Sequence, residues 1–187
     1  MDALTVAAES PLGPDLDLLF ARHHAFCHAD TPPESIHMLD RGELAAPGIT
    51  FLVLRDGGRA VGMGALKALP DGAVELKSMH VLNEARGSGA ARRILSALVA
   101  AAQGARAIRL ETGAQDSFAP ARAFYRRAGF RECPPFADYT DDPMSVFMSL
   151  DLTAQALPEA GQPPAFCVAE PRDFGHQRRA RPRSSTG

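Results

Sequence analysis

Three strand-like apolar runs follow one another between residues 49 and 81: ITFLVLR, RAVGMGALKAL and AVELKSMHV. The separators DGG and PDG are turn signals, and runs of this length between such turns are typical of β-hairpins. We therefore predict an antiparallel meander. In the third run the apolar residues fall at positions 74 and 76 and then at 79 and 81, with the polar Lys77 and Ser78 where the phase slips. The slip predicts a β-bulge; the alternative is a strand that ends at Leu76 with a second short segment after it.

After Gly89 the apolar period changes to that of a helix. One helical face carries the apolar residues Ala91, Ile94, Leu95, Leu98, Val99 and Ala102. The run AIRLET then indicates a strand, and Ser117 is a candidate N-cap for a helix from Phe118 to Ala128. Two last strands are predicted near residues 130–133 and 145–150.

The N-terminal segment completes the predicted order of elements. LTVAA at residues 4–8 indicates a first strand, and the apolar spacing of the next twenty or so residues favours one or two helices. The order is then β, α, α, β, β, β, α, β, α, β, β. This order predicts an α/β domain.

Length and composition predict one folded domain followed by a tail. The chain has 187 residues, enough for one domain, which we place at residues 1–151. Residues 152–187 are rich in proline and arginine without apolar periodicity, so we expect a disordered tail; an arginine tether to an anionic surface is the alternative.

Charge and cysteine content indicate which partners and which cellular location to expect. The net charge of −2 and the mixed signs argue against nucleic acid as a partner. Three widely spaced cysteines favour reduced thiols and a cytoplasmic location. We expect no signal peptide and no membrane partner, since no run approaches the ~20 apolar residues of a membrane span. We keep a homodimer as an alternative to a monomer.

The run ARGSGAARRIL, which begins at Ala85, has the composition of a phosphate-binding loop. A P-loop would need Gly-Lys-Ser/Thr, and Ala90 and Ala91 stand there instead. A dinucleotide-binding oxidoreductase would need a third glycine, where Arg92 stands, and would place the loop directly after a buried strand of a βαβ unit. Glu111 is about where its ribose-binding acid would fall, so this alternative stays open.

The run from Arg86 to Ala91 resembles the Arg/Gln-x-x-Gly-x-Gly/Ala signature of the GNAT superfamily of N-acetyltransferases. AFYRRAGF, about 35 residues later, resembles the helix of that family that carries a tyrosine before a Gly-Phe pair. The resemblance covers most of residues 3–151. It implies an α/β fold with a mixed, mostly antiparallel twisted sheet that is flanked by helices and whose central strands are splayed by a bulge. It also implies acetyl-CoA as the cosubstrate.

The resemblance also implies which residues bind the coenzyme. A glycine-rich turn that leads into a helix N-terminus can bind pyrophosphate, and the bulged strand can present its backbone to the pantetheine arm. Many relatives have an asparagine where this chain has Phe118, so Ser117 or Asp116 is the expected substitute. The expected coenzyme-binding residues are Met79, His80, Val81, Arg86, Gly87, Ser88, Gly89, Ala90, Ala91 and Ser117.

For catalysis, the resemblance implies Tyr125 as the general acid and Glu75 as the general base, with Glu111 and His80 as substitutes for the base. The expected reaction is direct attack by a primary amine of a small molecule or peptide on acetyl-CoA in a ternary complex. A noncatalytic acyl-CoA sensor of the same fold is the alternative. We predict no metal site, although His24, Cys27 and His28 share one predicted helical face.

Overall fold

A computed structural model describes residues 4–153. The expected disordered tail therefore lies outside the described residues, apart from its first two positions. Four α-helices and seven strands make up the described part. The helices are α1 (Asp17–Cys27), the single turn α2 (Arg41–Leu44), α3 (Ala90–Ala101) and α4 (Ala119–Arg127). The strands are β1 (Thr5–Ala8), β2 (Ile49–Asp56), β3 (Arg59–Ala68), β4 (Val74–Val81), β5 (Ala107–Gly113), β6 (Arg131–Glu132) and β7 (Ser145–Asp151).

The seven strands form one sheet in the order β1-β2-β3-β4-β5-β7-β6. The predicted meander is confirmed, because β2, β3 and β4 pair antiparallel in sequence order. Only β4 and β5 run parallel, joined by α3 as the crossover helix of a βαβ unit that the sequence analysis did not predict. The predicted α/β class with a mixed, mostly antiparallel sheet is confirmed.

The sheet is covered on both faces, and β2 shows how the sequence produces this. Its residues Leu52 and Leu54 pack into the cluster that contains Ile94 and Leu98 of α3. Its alternate residue Val53 packs instead with α1 and α2. Because side chains alternate across a strand, a run as apolar as ITFLVLR can bury both of its faces.

The predicted bulge lies at Ser78 of β4. Met63 pairs with His80 and Ala65 pairs with Lys77, so two steps along β3 oppose three along β4. The additional residue is Ser78, whose φ of 51° lies in the left-handed region. Such an insertion bends the strand locally and increases its twist.

The two central strands, β4 and β5, separate shortly before the bulge. The register of β4 with β5 contains two pairs, Val74 with Ile108 and Glu75 with Arg109, and no further pair joins them within the described chain. The predicted splayed strand pair is thus confirmed. Beyond Glu75 the two strands enclose a V-shaped gap that opens toward the loop after β4.

One local prediction is wrong. Ser117 does not cap α4, because residues Asp116–Phe118 form a short 3-10 turn and the helix begins one residue later than predicted, at Ala119, with Phe118 at its N-cap position. The Ser117 hydroxyl donates instead to the carboxylate of Asp30 at 3.1 Å. Separately, no helix between residues 4 and 153 is long and apolar enough to cross a membrane.

Candidate active site

A cavity of about 590 Å³ occupies the gap between β4 and β5. Its walls come from α1 and the segment after it, from β4, from the loop before α3, from β5 and from α4. We distinguish two ends. The loop end is formed by Arg86, Gly87, Ala91 and Tyr125, and the acidic end by Cys27, His37, Lys77 and Glu111.

The loop end owes its shape to two glycines. Gly87 has a φ of 78° and Gly89 a φ of 87°, values that strain any residue with a Cβ. The Ser88 hydroxyl donates to the Ala85 carbonyl at 2.7 Å and thereby closes the turn. The first bond into α3 runs from the Arg93 N–H to the Gly89 carbonyl at 2.9 Å. The N–H groups of the helix's first turn therefore have no intrahelical acceptor, and they carry the positive end of the helix dipole.

The predicted loop residues divide into two groups. Arg86, Gly87 and Ala91 line the cavity, whereas Ser88, Gly89 and Ala90 are not among its lining residues. The Ala90 side chain is buried in the core. This second group shapes the loop through its backbone and through the Ser88 hydroxyl.

The bulged strand contributes its predicted residues Met79, His80 and Val81 to the cavity wall. Burial, together with the charge of Arg86, lowers the pKa of His80 to about 4. Burial likewise lowers the pKa of His23 to about 3, and its ring centre lies 5.4 Å from that of His80. Both imidazoles are therefore neutral at physiological pH.

Tyr125 reaches the cavity from α4 and is only 8% exposed. Its ring packs edge-on against Phe124 and Phe130, and its hydroxyl donates to the Met79 sulfur at 3.5 Å. Burial raises the pKa of Tyr125, so the phenol keeps its proton at neutral pH. The structure thus holds a protonated hydroxyl against the bulged strand.

Glu75 lies away from the cavity, under its acidic end. Its carboxylate accepts a hydrogen bond from the Tyr139 hydroxyl at 2.6 Å and lies 3.2 Å from the Lys77 ammonium. The Glu75 side chain is 4% exposed and is not among the cavity-lining residues. Whatever Glu75 does for a bound molecule, it does through Lys77 or Tyr139.

Lys77 joins three separate segments of the chain. Its ammonium donates to the His37 carbonyl and to the Tyr139 hydroxyl, both at 2.8 Å, besides its ion pair with Glu75. Sequence reasoning treated Lys77 only as part of the bulge and did not single out Tyr139. The polar residue at the slip of phase was the available signal for Lys77, but nothing local in the sequence indicated its partners.

Glu111 presents its carboxylate to the cavity from β5, across the gap from Lys77. Burial raises the pKa of Glu111, and the hydrogen bond that Ser145 donates to it at 2.8 Å acts in the opposite direction. Nearby, burial raises the pKa of Cys27 to about 11, and the negative charge of Glu111 adds to that effect. The Cys27 thiol is therefore protonated and not a nucleophile at neutral pH.

Phe118 stands where an asparagine was expected from the resemblance. Its ring lines the cavity and packs edge-on against Phe26 of α1, with ring centres 4.8 Å apart. An aromatic pair thus occupies the position at which an amide would offer hydrogen bonds. Ser117 also lines the cavity, although its hydroxyl is engaged with Asp30.

The three candidate zinc ligands of α1 do not converge. His24 and His28 stack on the exposed face of the helix with ring centres 3.8 Å apart, whereas the Cys27 sulfur faces the His23 ring at 3.7 Å. Across residues 4–153, no group of three or more histidine, cysteine or acidic side chains is arranged to hold a metal ion.

Sequence comparison identifies the class of protein to which this fold and this cavity belong. The sequence model of the Acetyltransferase (GNAT) family matches residues 16–130, and the chain belongs to that family. It is an acyltransferase of the GNAT fold, and the family generally uses acetyl-CoA.

Individual relatives agree with this assignment. The chain is 43% identical over 124 residues to YsnE of Bacillus subtilis, described as an uncharacterized N-acetyltransferase; the match covers 65% of this chain and 82% of YsnE. It is 39% identical over 155 residues to the IAA acetyltransferase of Azospirillum brasilense, with 81% and 100% covered. Among solved structures, one from Klebsiella pneumoniae assigned to the acyl-CoA N-acyltransferases superposes with a TM-score of 0.62 at 28% identity, covering 80% of this chain and 97% of that one.

Proposed function

We propose that the protein transfers an acetyl group from acetyl-CoA to a primary amine of a small molecule or peptide, by direct attack in a ternary complex. One observation carries the proposal: a helix N-terminus lies at one end of the cavity, and a carboxylate lies at the other end of the same cavity. Such a cavity can hold an anionic cosubstrate and a cationic acceptor side by side.

The loop end fits the cosubstrate. Its glycine turn, the helix N-terminus and Arg86 offer N–H groups and positive charge to a pyrophosphate. The edge of β4 that faces β5 is unpaired from Ser78 to Val81 and offers backbone groups to the pantetheine arm. Ser88, Gly89 and Ala90 belong to this proposal as the residues that shape the loop, and Ser117 as a cavity-lining hydroxyl.

Acetyl-CoA supplies a thioester that the amine nitrogen attacks, so that a C–N bond forms and the C–S bond breaks. We assign to Tyr125 the transfer of its hydroxyl proton to the departing sulfur; the protonated phenol, which faces the bulged strand, supports this role. A cationic acceptor must lose one proton before its nitrogen can attack, and the cavity-facing carboxylate of Glu111 is the group suited to accept it. The second proton leaves the nitrogen as the amide forms and replaces the one that Tyr125 gives to the sulfur. Glu75, our first candidate for the base, would act only through Lys77 or Tyr139.

The proposal is tested first by calorimetry with acetyl-CoA, CoA and NADH, and then by a thiol-release assay over a panel of amines. We expect binding of acetyl-CoA and CoA, no binding of NADH, and release of CoA with at least one amine. IAA is tested beside the amines as a separate candidate, because a relative is named IAA acetyltransferase. Failure to bind acetyl-CoA would refute the proposal, and binding without thiol release from any acceptor would favour the noncatalytic sensor.

A further inference from the structure

The charged side chains at the acidic end of the cavity bear on which charge the acceptor carries. Among the described residues that line the cavity, Glu111 is the one carboxylate. Lys77 is the fixed positive charge in the walls of that end, because Arg86 belongs to the loop end and Arg127 lies on α4 with Tyr125. Whether the acidic end favours a cation or an anion therefore depends on how far Lys77 is neutralised by its own partners.

Lys77 is fully occupied. An ammonium has three N–H donors, and that of Lys77 faces three oxygens, on His37, Tyr139 and Glu75, at 2.8, 2.8 and 3.2 Å. Its side chain is 9% exposed, and the Glu75 carboxylate cancels its charge at contact distance. A carboxylate on a bound molecule would therefore find no free donor on Lys77.

Two other ionisable groups line this end: the Cys27 thiol, which is protonated, and the His37 ring, which packs edge-on against Tyr139. With Lys77 neutralised by Glu75, the Glu111 carboxylate is the remaining fixed charge of this end and determines the charge that the end prefers. The neighbouring His23 is neutral, because burial lowers its pKa to about 3. An ammonium placed beside Glu111 would gain a charge-assisted hydrogen bond, whereas a second carboxylate would meet a like charge in a partly buried site.

The walls around Glu111 are otherwise largely apolar. Ile36 and Met38 line the cavity from the segment after α1, and the Phe26 and Phe118 rings line it between the two ends. Such walls suit a flat or branched hydrocarbon body and offer it burial rather than hydrogen bonds.

We propose that the acceptor is a cationic amine with an apolar or aromatic body and no carboxylate next to the amine, and that Glu111 is the residue that selects for it. This inference rests on the proposed function, since it names the acceptor class of the same cavity. It predicts that simple amines are preferred over the corresponding amino acids.

The test uses pairs of compounds that differ only in the carboxylate: 2-phenylethylamine with phenylalanine, tyramine with tyrosine, and isoamylamine with leucine. Binding is measured by calorimetry on the full chain saturated with CoA, and turnover by thiol release. We expect the amine of at least one pair to bind at least tenfold more tightly than its amino acid. Equal or better binding of the amino acid in every pair, or no binding of any amine, overturns the inference.

The Glu111→Gln variant tests the assigned residue. Glutamine keeps the size of the side chain and an oxygen for the Ser145 hydroxyl, but it removes the charge. We expect at least a fivefold loss of the preference for the amine, with an unchanged Kd for acetyl-CoA as evidence of an intact fold. A preference that survives the substitution overturns the role of Glu111. Selective amine binding without any thiol release would instead refute the proposed function and leave this inference standing.

Discussion

The two ends of the cavity are built in different ways. The loop end is made mostly of backbone: a bulge at Ser78, two left-handed glycines, and the first turn of α3. The acidic end is made of side chains that come from distant parts of the chain and meet through Lys77. A backbone site suits a cosubstrate shared by a whole family, whereas a side-chain site can be changed residue by residue. The difference leads us to expect coenzyme binding to depend on conformation and acceptor choice on chemistry.

The two tyrosines of the chain offer the sharpest separation of the two ends. We expect Tyr125→Phe to lower kcat by about 100-fold or more, in the range of general acid catalysis, with the Kd for acetyl-CoA nearly unchanged. Tyr139→Phe is the matched control. It removes a hydroxyl between Lys77 and Glu75, and we expect it to raise the acceptor KM while leaving kcat within about threefold. Steady-state kinetics would contradict this scheme if both variants changed the same parameter.

Gly89→Glu tests the claim that the loop end depends on backbone conformation. A side chain at a φ of 87° costs about 1–2 kcal/mol, and a carboxylate at the helix N-terminus would repel pyrophosphate. We expect about a 100-fold weaker Kd for acetyl-CoA by calorimetry. Gly58→Glu is the matched control, since Gly58 has a φ of 84° and lies in the turn between β2 and β3. Equal losses in both variants would show that general strain, and not the loop, is responsible.

Lys77→Met tests the claim that the acidic end is held together by side chains. Removing one partner of a buried ion pair leaves Glu75 uncompensated, and we expect a loss of about 3 kcal/mol in the free energy of unfolding. Glu75→Gln combined with Lys77→Met removes both charges and should recover most of that loss. The acceptor KM should stay raised about tenfold in the double variant if Lys77 positions the walls. Recovery of both stability and KM would leave Lys77 with a role in folding alone.

Ser145→Ala tests the same end through its pH dependence. The pKa of Glu111 is raised by burial and held back by the Ser145 hydroxyl, so its carboxylate forms only as the pH rises through that raised value. Acceptor kcat/KM should therefore fall on the acidic side as Glu111 becomes protonated. Loss of the hydrogen bond should move this acidic limb to higher pH, and Glu111→Gln should abolish it. A pH profile that is identical in all three proteins would remove Glu111 from acceptor binding.

The smallest effect is expected at the bulge itself. Ser78→Gly removes a side chain from a left-handed position, which glycine occupies without strain, so the backbone can keep its course. We expect the Kd for acetyl-CoA to stay within about threefold and the melting temperature to change little. A large loss of affinity would mean that the Ser78 hydroxyl, which is buried without a partner in the described part of the chain, contributes directly.

The same contrast between the loop end and the acidic end explains which features could be predicted from the sequence. The bulge, the glycine loop and the helix after it are local patterns, since the shift in phase at Lys77 and Ser78 and the two glycines are visible within a few residues. The contacts of Lys77 with His37 and Tyr139 span 40 and 62 residues, and no local period encodes them. Local patterns could not indicate that Glu75 is buried and paired with Lys77, because its burial and its counter-ion follow from tertiary contacts. Ser117 was misplaced as a cap for a simpler reason, since a 3-10 turn moved the start of the helix.

The splay of β4 from β5 also concerns the protection of the sheet against other chains. Unpaired strand edges normally lie at the margin of a sheet, where they can recruit strands of other molecules and lead to aggregation. Here a stretch of unpaired edge lies inside the molecule, walled by Phe26, Phe118 and Tyr125. The domain can therefore keep a strand edge open for a slender, extended ligand while its aromatic walls shield that edge from the strands of other folded chains.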